Sequence, residues 1–80
     1  MIVYNGVLYA EESGSLTVVK GFTDAELVVV PEMLYNKTVK KIAESAFEGN
    51  TALCGIDLPD TIEIIGKAAF KNCANLNTMY

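Results

Sequence analysis

The chain contains no histidine and no arginine. Without histidine, Ser-His-Asp and Cys-His catalysis, histidine-ligated zinc and most general-base chemistry near neutral pH are excluded. The basic residues are six lysines against ten acidic residues, giving a net charge of −4. Phosphate backbones are held by clustered Lys and Arg, so nucleic acid is disfavoured as a partner. Lys40-Lys41 is the one adjacent basic pair and reads as a solvated edge. No apolar run approaches the roughly 20 residues that span a bilayer, so no membrane insertion is expected. The start, Met1-Ile2-Val3-Tyr4-Asn5-Gly6, lacks the basic and apolar regions of a signal peptide. The alternatives are a cytosolic protein or a piece of a longer exported chain. Glycines stand singly at turns, so no phosphate-cradling loop is present. The cysteines, Cys54 and Cys73, form no Cys-x-x-Cys motif.

What is present is a folded composition, 51% apolar and 20% charged over 80 residues. That is one small domain, residues 1–80, of a size that buries about 60% of its unfolded surface. Its second half repeats. Ile42, Ala46, Phe47 and Leu53 recur 23 residues later as Ile65, Ala69, Phe70 and Leu76, and Ile56 pairs with Met79. The agreement falls on apolar positions while the residues between them drift, as expected where each unit adds one layer to a stacked core. The template also reaches backwards. Val28-Val29-Val30-Pro31 matches Ile56-Asp57-Leu58-Pro59, and Val39 to Ile42 matches Ile62 to Ile65. The first unit carries five extra residues, in an insertion that includes Tyr35-Asn36-Lys37. Cys54 and Cys73 fall in different columns of this repeat. Their Cα atoms are expected to lie beyond the ~7 Å bridging limit, giving two free, mostly buried thiols, with a disulfide as the lesser alternative.

These residues resemble the BspA-type leucine-rich repeats common in bacterial surface proteins. The segments Ile65-Gly66-Lys67-Ala68-Ala69-Phe70-Lys71-Asn72-Cys73 and Leu53-Cys54-Gly55-Ile56-Asp57-Leu58-Pro59-Asp60-Thr61-Ile62 carry the resemblance. Asn5 to Tyr9, followed by Ser13-Gly14-Ser15-Leu16, is similar to the hairpin that often precedes such repeats. Ala43 stands where the family has glycine, and Asn50 where it has cysteine. The expected fold class is α/β: a solenoid of short parallel strands and one-turn helices, preceded by an N-terminal antiparallel β meander. Residues 1–24 form the cap, and residues 25–80 about two and a half repeats of 23 residues.

In detail, Asn5-Gly6 suits a tight hairpin and Ser13-Gly14 a second turn. Residues 2–20 should close the open end of the stack. Leu27-Val28-Val29-Val30 is apolar throughout and reads as a strand buried on both faces, ended by Pro31. Strands around Val28, Ile56 and Met79 should run parallel. Ser45–Gly49 and Ala68–Asn72 should each form one helical turn, with Phe47 and Phe70 pointing inward.

No catalytic, cofactor-binding or metal-ligating set emerges. Asp57, Asp60 and Glu63 are close in sequence but read as solvated strand and turn residues, and calcium needs six to eight oxygens. Asn36-Lys37-Thr38 matches a glycosylation sequon and reads as ordinary loop. A solenoid usually binds through its exposed strand ladder. Here that is Val29, Gly55, Asp57, Thr78 and Tyr80, with Leu27 as a further contact and the loop residue Tyr35 as an alternative one. The expected function is a non-catalytic protein–protein interaction or adhesion module, with an unknown protein partner and no cofactor. The resemblance implies a cell-surface or secreted setting within a larger exported chain. The alternative is an N-terminal capping segment of a longer array. A bare strand edge at Tyr80 also predicts self-association there.

Overall fold

Positive φ is cheapest for glycine and asparagine, and the chain uses such residues to fold its first third back on itself. Asn5 (φ 48°) and Gly6 (φ 76°) join β1 (Ile2–Tyr4) to β2 (Val7–Glu12). Ser13 (φ 51°) and Gly14 (φ 83°) join β2 to β3 (Ser15–Gly21). The three strands form the expected antiparallel meander. Val7, Tyr9, Leu16 and Val18 turn inward and are buried. The computed structural model describes every residue of the chain except 23 and 80.

The meander is continuous with the repeats. The far edge of β3 pairs in parallel with β6 (Lys37–Ile42), setting Leu16 opposite Val39 and Val18 opposite Ile42. β6 pairs in parallel with β8 (Ile64–Ile65), which places Ile42 beside Ile65. The second sheet is the ladder β4 (Leu27–Val29), β7 (Gly55–Asp57) and β9 (Thr78–Met79), all parallel. The insertion forms a hairpin of its own: β5 (Met33–Leu34) turns through Tyr35 (φ 51°) and Asn36 (φ 64°) into β6.

A third side joins the two sheets, and here the expected one-turn helices are not seen. Segments 44–49 and 67–72 are successions of tight turns. Ser45 (φ 60°), Gly49 (φ 77°), Ala68 (φ 59°) and Asn72 (φ 61°) adopt the left-handed conformation, which a right-handed helix cannot contain. The backbone gains cross-linking in exchange. Ala46, Glu48 and Asn50 donate locally, to the carbonyls of Ala43, Ser45 and Phe47 at 3.3, 3.2 and 3.1 Å. The alternate amides of Ser45, Phe47 and Gly49 donate to the next winding instead, to Lys67, Ala69 and Lys71 at 3.1, 2.7 and 2.8 Å. A helix would spend all of these donors on its own axis.

Phe47 and Phe70 occupy equivalent places one winding apart, their rings stacked with centroids 5.5 Å apart and 11° between planes. They are not equally inward. Phe47 is fully buried, its ring seated where a Cβ on Gly21 would lie 2.1 Å from it. Phe70 is half-buried at the end of the stack. The columns Ile42/Ile65 and Leu53/Leu76 show the same gradient, buried in the first winding, with Ile65 exposed and Leu76 half-buried in the second.

Candidate functional site

The ladder β4-β7-β9 has one face in the core and one in solvent. Val28 and Ile56 point inward and are buried. Leu27 and Val29 point outward, 55% and 56% exposed. The expectation that this strand is covered on both faces is therefore corrected: four successive apolar residues hid a period of two, because two of them face solvent. Register sets Leu27 beside Gly55 and Thr78, and Val29 beside Asp57.

The expected surface residues divide. Val29 and Asp57 are exposed neighbours, an apolar and an anionic side chain in one row. Gly55 is buried, contrary to its expected place on the open face, because Leu27 lies over it; a Cβ built there would meet Leu27 Cδ1 at 3.3 Å. Thr78 is half-buried, its Oγ1 donating to Asn77 Oδ1 at 2.8 Å. Tyr80 lies outside the described residues. Tyr35 is 70% exposed, but on the β5–β6 hairpin and not on the ladder.

Sequence reasoning missed Phe22, 57% exposed just after β3. Its amide donates to the Gly6 carbonyl at 2.9 Å, which ties the first hairpin turn to the start of the repeats. A cleft of about 280 Å³ is lined by Asn5, Ala25, Leu27, Val28 and Val29. The signal was a large apolar residue following a strand-ending glycine, where a loop residue is ordinarily polar.

Two larger hollows, of about 440 and 410 Å³, share Glu12, Thr17 and Lys41. The three shared residues hold one another. Thr17 Oγ1 donates to Glu12 Oε1 at 3.0 Å, and Lys41 Nζ sits 3.9 Å from the same oxygen. Among the described residues no group of three metal-ligating side chains converges, and Asp57 and Asp60 are exposed, as solvated residues are. Burial, with Tyr4 nearby, pushes the Tyr9 phenol up to about 12. Cys54 and Cys73 are free thiols, half-buried and less enclosed than expected. Cys73 Sγ donates to the Phe47 carbonyl at 3.0 Å and so ties the two windings together. No helix among the described residues is long and apolar enough to cross a membrane.

The BspA type leucine rich repeat region model matches residues 26–80, more than half of the chain. Three crystal structures of leucine-rich repeat proteins share the fold over 98% of this chain. The T. pallidum protein has a TM-score of 0.91 at 22% identity, with 37% of its own length covered. That from Bacteroides capillosus gives 0.89 at 21%, with 62% covered. That from Bacteroides ovatus gives 0.80 at 28%, with 22% covered. The chain thus spans less than two thirds of each. No curated protein matches it.

Proposed function

The chain belongs to the BspA-type leucine-rich repeat family, and from that premise we propose that it is a non-catalytic protein-binding module whose contact face is the outer side of the parallel ladder. The observation that carries this reading is the exposed pair Leu27 and Val29, with Asp57 in register beside Val29 and a cleft that both apolar residues line. Monomeric proteins seldom hold large apolar side chains together on a rigid sheet face without a partner. Apolar contacts flanked by a charge suit a protein partner, with the charge selecting orientation. The family's frequent occurrence in bacterial surface proteins supports a cell-surface setting within a longer exported chain. The partner is then a surface protein of a host or neighbouring cell, bound without a cofactor.

The test is binding of the fluorescent chain to cultured epithelial cells, comparing the natural sequence with Leu27→Ser/Val29→Asp and with an exposed control on the other sheet, Lys40→Ser. The double variant should lose at least ~10-fold in affinity, the effect of removing about 1.4 kcal/mol. The control should lose nothing. Equal binding by all three overturns the reading.

A different observation favours a second reading, an N-terminal cap that seals a longer array and binds nothing itself. The meander buries Val7, Tyr9, Leu16 and Val18 against the first winding, and Gly21 N–H donates to the Ala46 carbonyl at 2.9 Å. In that case the double variant changes no binding, whereas Tyr9→Asp lowers the melting temperature of the whole array.

A further inference from the structure

Hydrogen-bond register fixes which way each residue of β4 turns its backbone. The Glu26 carbonyl accepts from Gly55 N–H at 2.9 Å, and Val30 N–H donates to the Asp57 carbonyl at 2.9 Å. In a parallel pair, alternate residues turn both polar groups toward the partner strand. Glu26, Val28 and Val30 therefore face β7, while Leu27 and Val29 present N–H and C=O on the other side of β4. No strand among the described residues pairs there: β3 of the meander runs beside β6, and β4 pairs with β7 alone. The cleft of about 280 Å³ follows this side, since Leu27, Val28 and Val29 line it and no residue of β7 does. Asn5, from the first hairpin turn, and Ala25 complete its lining.

Two features set this edge apart. Proteins commonly guard a free strand edge with lysine or a bulge. β4 keeps a regular register with β7 and carries only apolar residues, two of them exposed. Its margin, in turn, is acidic. Asp24 and Glu26 precede it, Glu32 follows it and Asp57 stands beside Val29; all four are exposed, and no lysine occurs from Gly21 to Asn36. Among the described residues none of these carboxylates joins an ion pair.

We propose that the free edge of β4 accepts an extended, basic segment of a partner protein as an added strand. This rests on the reading of the chain as a protein-binding module and assigns the form of the partner. Its main chain pairs with Leu27 and Val29, and its lysine or arginine side chains meet the acidic margin. Each of the two residues offers one donor and one acceptor, which an extended chain can match and a helix cannot, because a helix spends its backbone groups on itself. A second copy of this chain fits poorly. Pairing β4 with another β4 about a two-fold axis would bring two acidic margins together.

The test uses a synthetic hexapeptide of alternating lysine and valine with blocked ends, and reads amide hydrogen exchange in the full chain. At saturating peptide, exchange at Leu27 and Val29 should slow at least ~10-fold, as for amides that gain a stable acceptor. The fully N-methylated peptide keeps the charge but cannot donate, and it should protect neither amide. A glutamate–valine hexapeptide should bind at least ~10-fold more weakly. Val29→Pro removes one outward donor and spares the bonds to β7. It should lower affinity for the lysine peptide at least ~10-fold while the Val30 amide stays protected. No protection by the lysine peptide, equal protection by either altered peptide, or unchanged affinity in a folded Val29→Pro chain overturns the proposal. Should that variant not fold, the three peptides decide alone. Protection of Leu27 and Val29 that grows with protein concentration, without peptide, makes a second copy the occupant and also overturns it. The cell-binding comparison separates the two readings. Unprotected amides with cell binding lost in Leu27→Ser/Val29→Asp sink the added strand alone, and protected amides with equal cell binding sink the outer-face reading alone.

Discussion

Gly66 sits where two windings nearly touch, and replacing it with alanine measures how closely the layers are stacked. A Cβ at Gly66 would lie 2.4 Å from the Glu44 nitrogen, 2.7 Å from the Ala43 carbonyl carbon and 2.9 Å from the Glu44 Cα. All three are backbone atoms, so no side chain can swing aside. The windings must part, and they part beside two of their own cross-links: Gly66 N–H to the Ile42 carbonyl at 2.7 Å and Ser45 N–H to the Lys67 carbonyl at 3.1 Å. Overpacking of this kind costs about 1–3 kcal/mol, and each weakened hydrogen bond about 1 more. The stiffer unfolded chain returns roughly 0.4–1 kcal/mol. The expected net loss for Gly66→Ala is about 2–4 kcal/mol, out of a total near 4–12 kcal/mol for a domain of this size. In urea, with a slope near 1 kcal/mol per molar, the midpoint should fall by about 2 M or more. The reciprocal change, Ala43→Gly, touches the same column one winding earlier. There the layer behind is a strand, reached by Ala43 N–H at the Val18 carbonyl. Only the unfolded-state term applies, so the loss should stay below about 1 kcal/mol. A Gly66→Ala protein as stable as the natural one, or equal losses at both positions, would refute the backbone clash.

Phe47→Ala should cost about 3–5 kcal/mol by equilibrium denaturation, as a buried aromatic does. Phe70→Ala should cost roughly half of that, because its ring is only half-covered, and equal losses would contradict the gradient between windings. The Tyr9 phenol titrates at about 12 when folded, against an ordinary 10.0. Its folded-state pKa lies above the unfolded one, so its contribution is fully present below pH 10 and is lost as pH rises toward 12. Stability should fall by up to about 2 kcal/mol across that window. In Tyr9→Phe the fall should be smaller by that amount, and an unchanged alkaline slope would refute the assignment.

The layers were legible in the sequence because a stacked core repeats its apolar side chains at fixed spacing. Ile42/Ile65, Phe47/Phe70 and Ile56/Met79 are neighbours in space for that reason. The prolines at 31 and 59 marked strand ends, and Asn5-Gly6 and Ser13-Gly14 marked hairpins. The turns at 44–49 and 67–72 were misread because left-handed Ser45 and Ala68 carry no compositional warning, and alanine reads as a helix former. Glycine at 66 but alanine at 43 blurred the repeat on paper, yet it follows from what lies behind each position: a turn of backbone in one case, a strand in the other. On the ladder's outer face, Asp57 was legible from its place between inward Ile56 and Leu58, whereas the apolar run hid which way Val29 faces. Gly55 was not legible either, since what covers it is the side chain of Leu27 on another winding.

The β5–β6 hairpin lengthens the first unit, yet Ile42 still sits beside Ile65 and Val28 beside Ile56. Pitch is therefore set by the stacked layers and is uncoupled from how much chain lies between them. Tyr35-Asn36, outside the coil and already bent for a reversal, is where a foreign epitope or reporter loop can be grafted while every floor keeps its height.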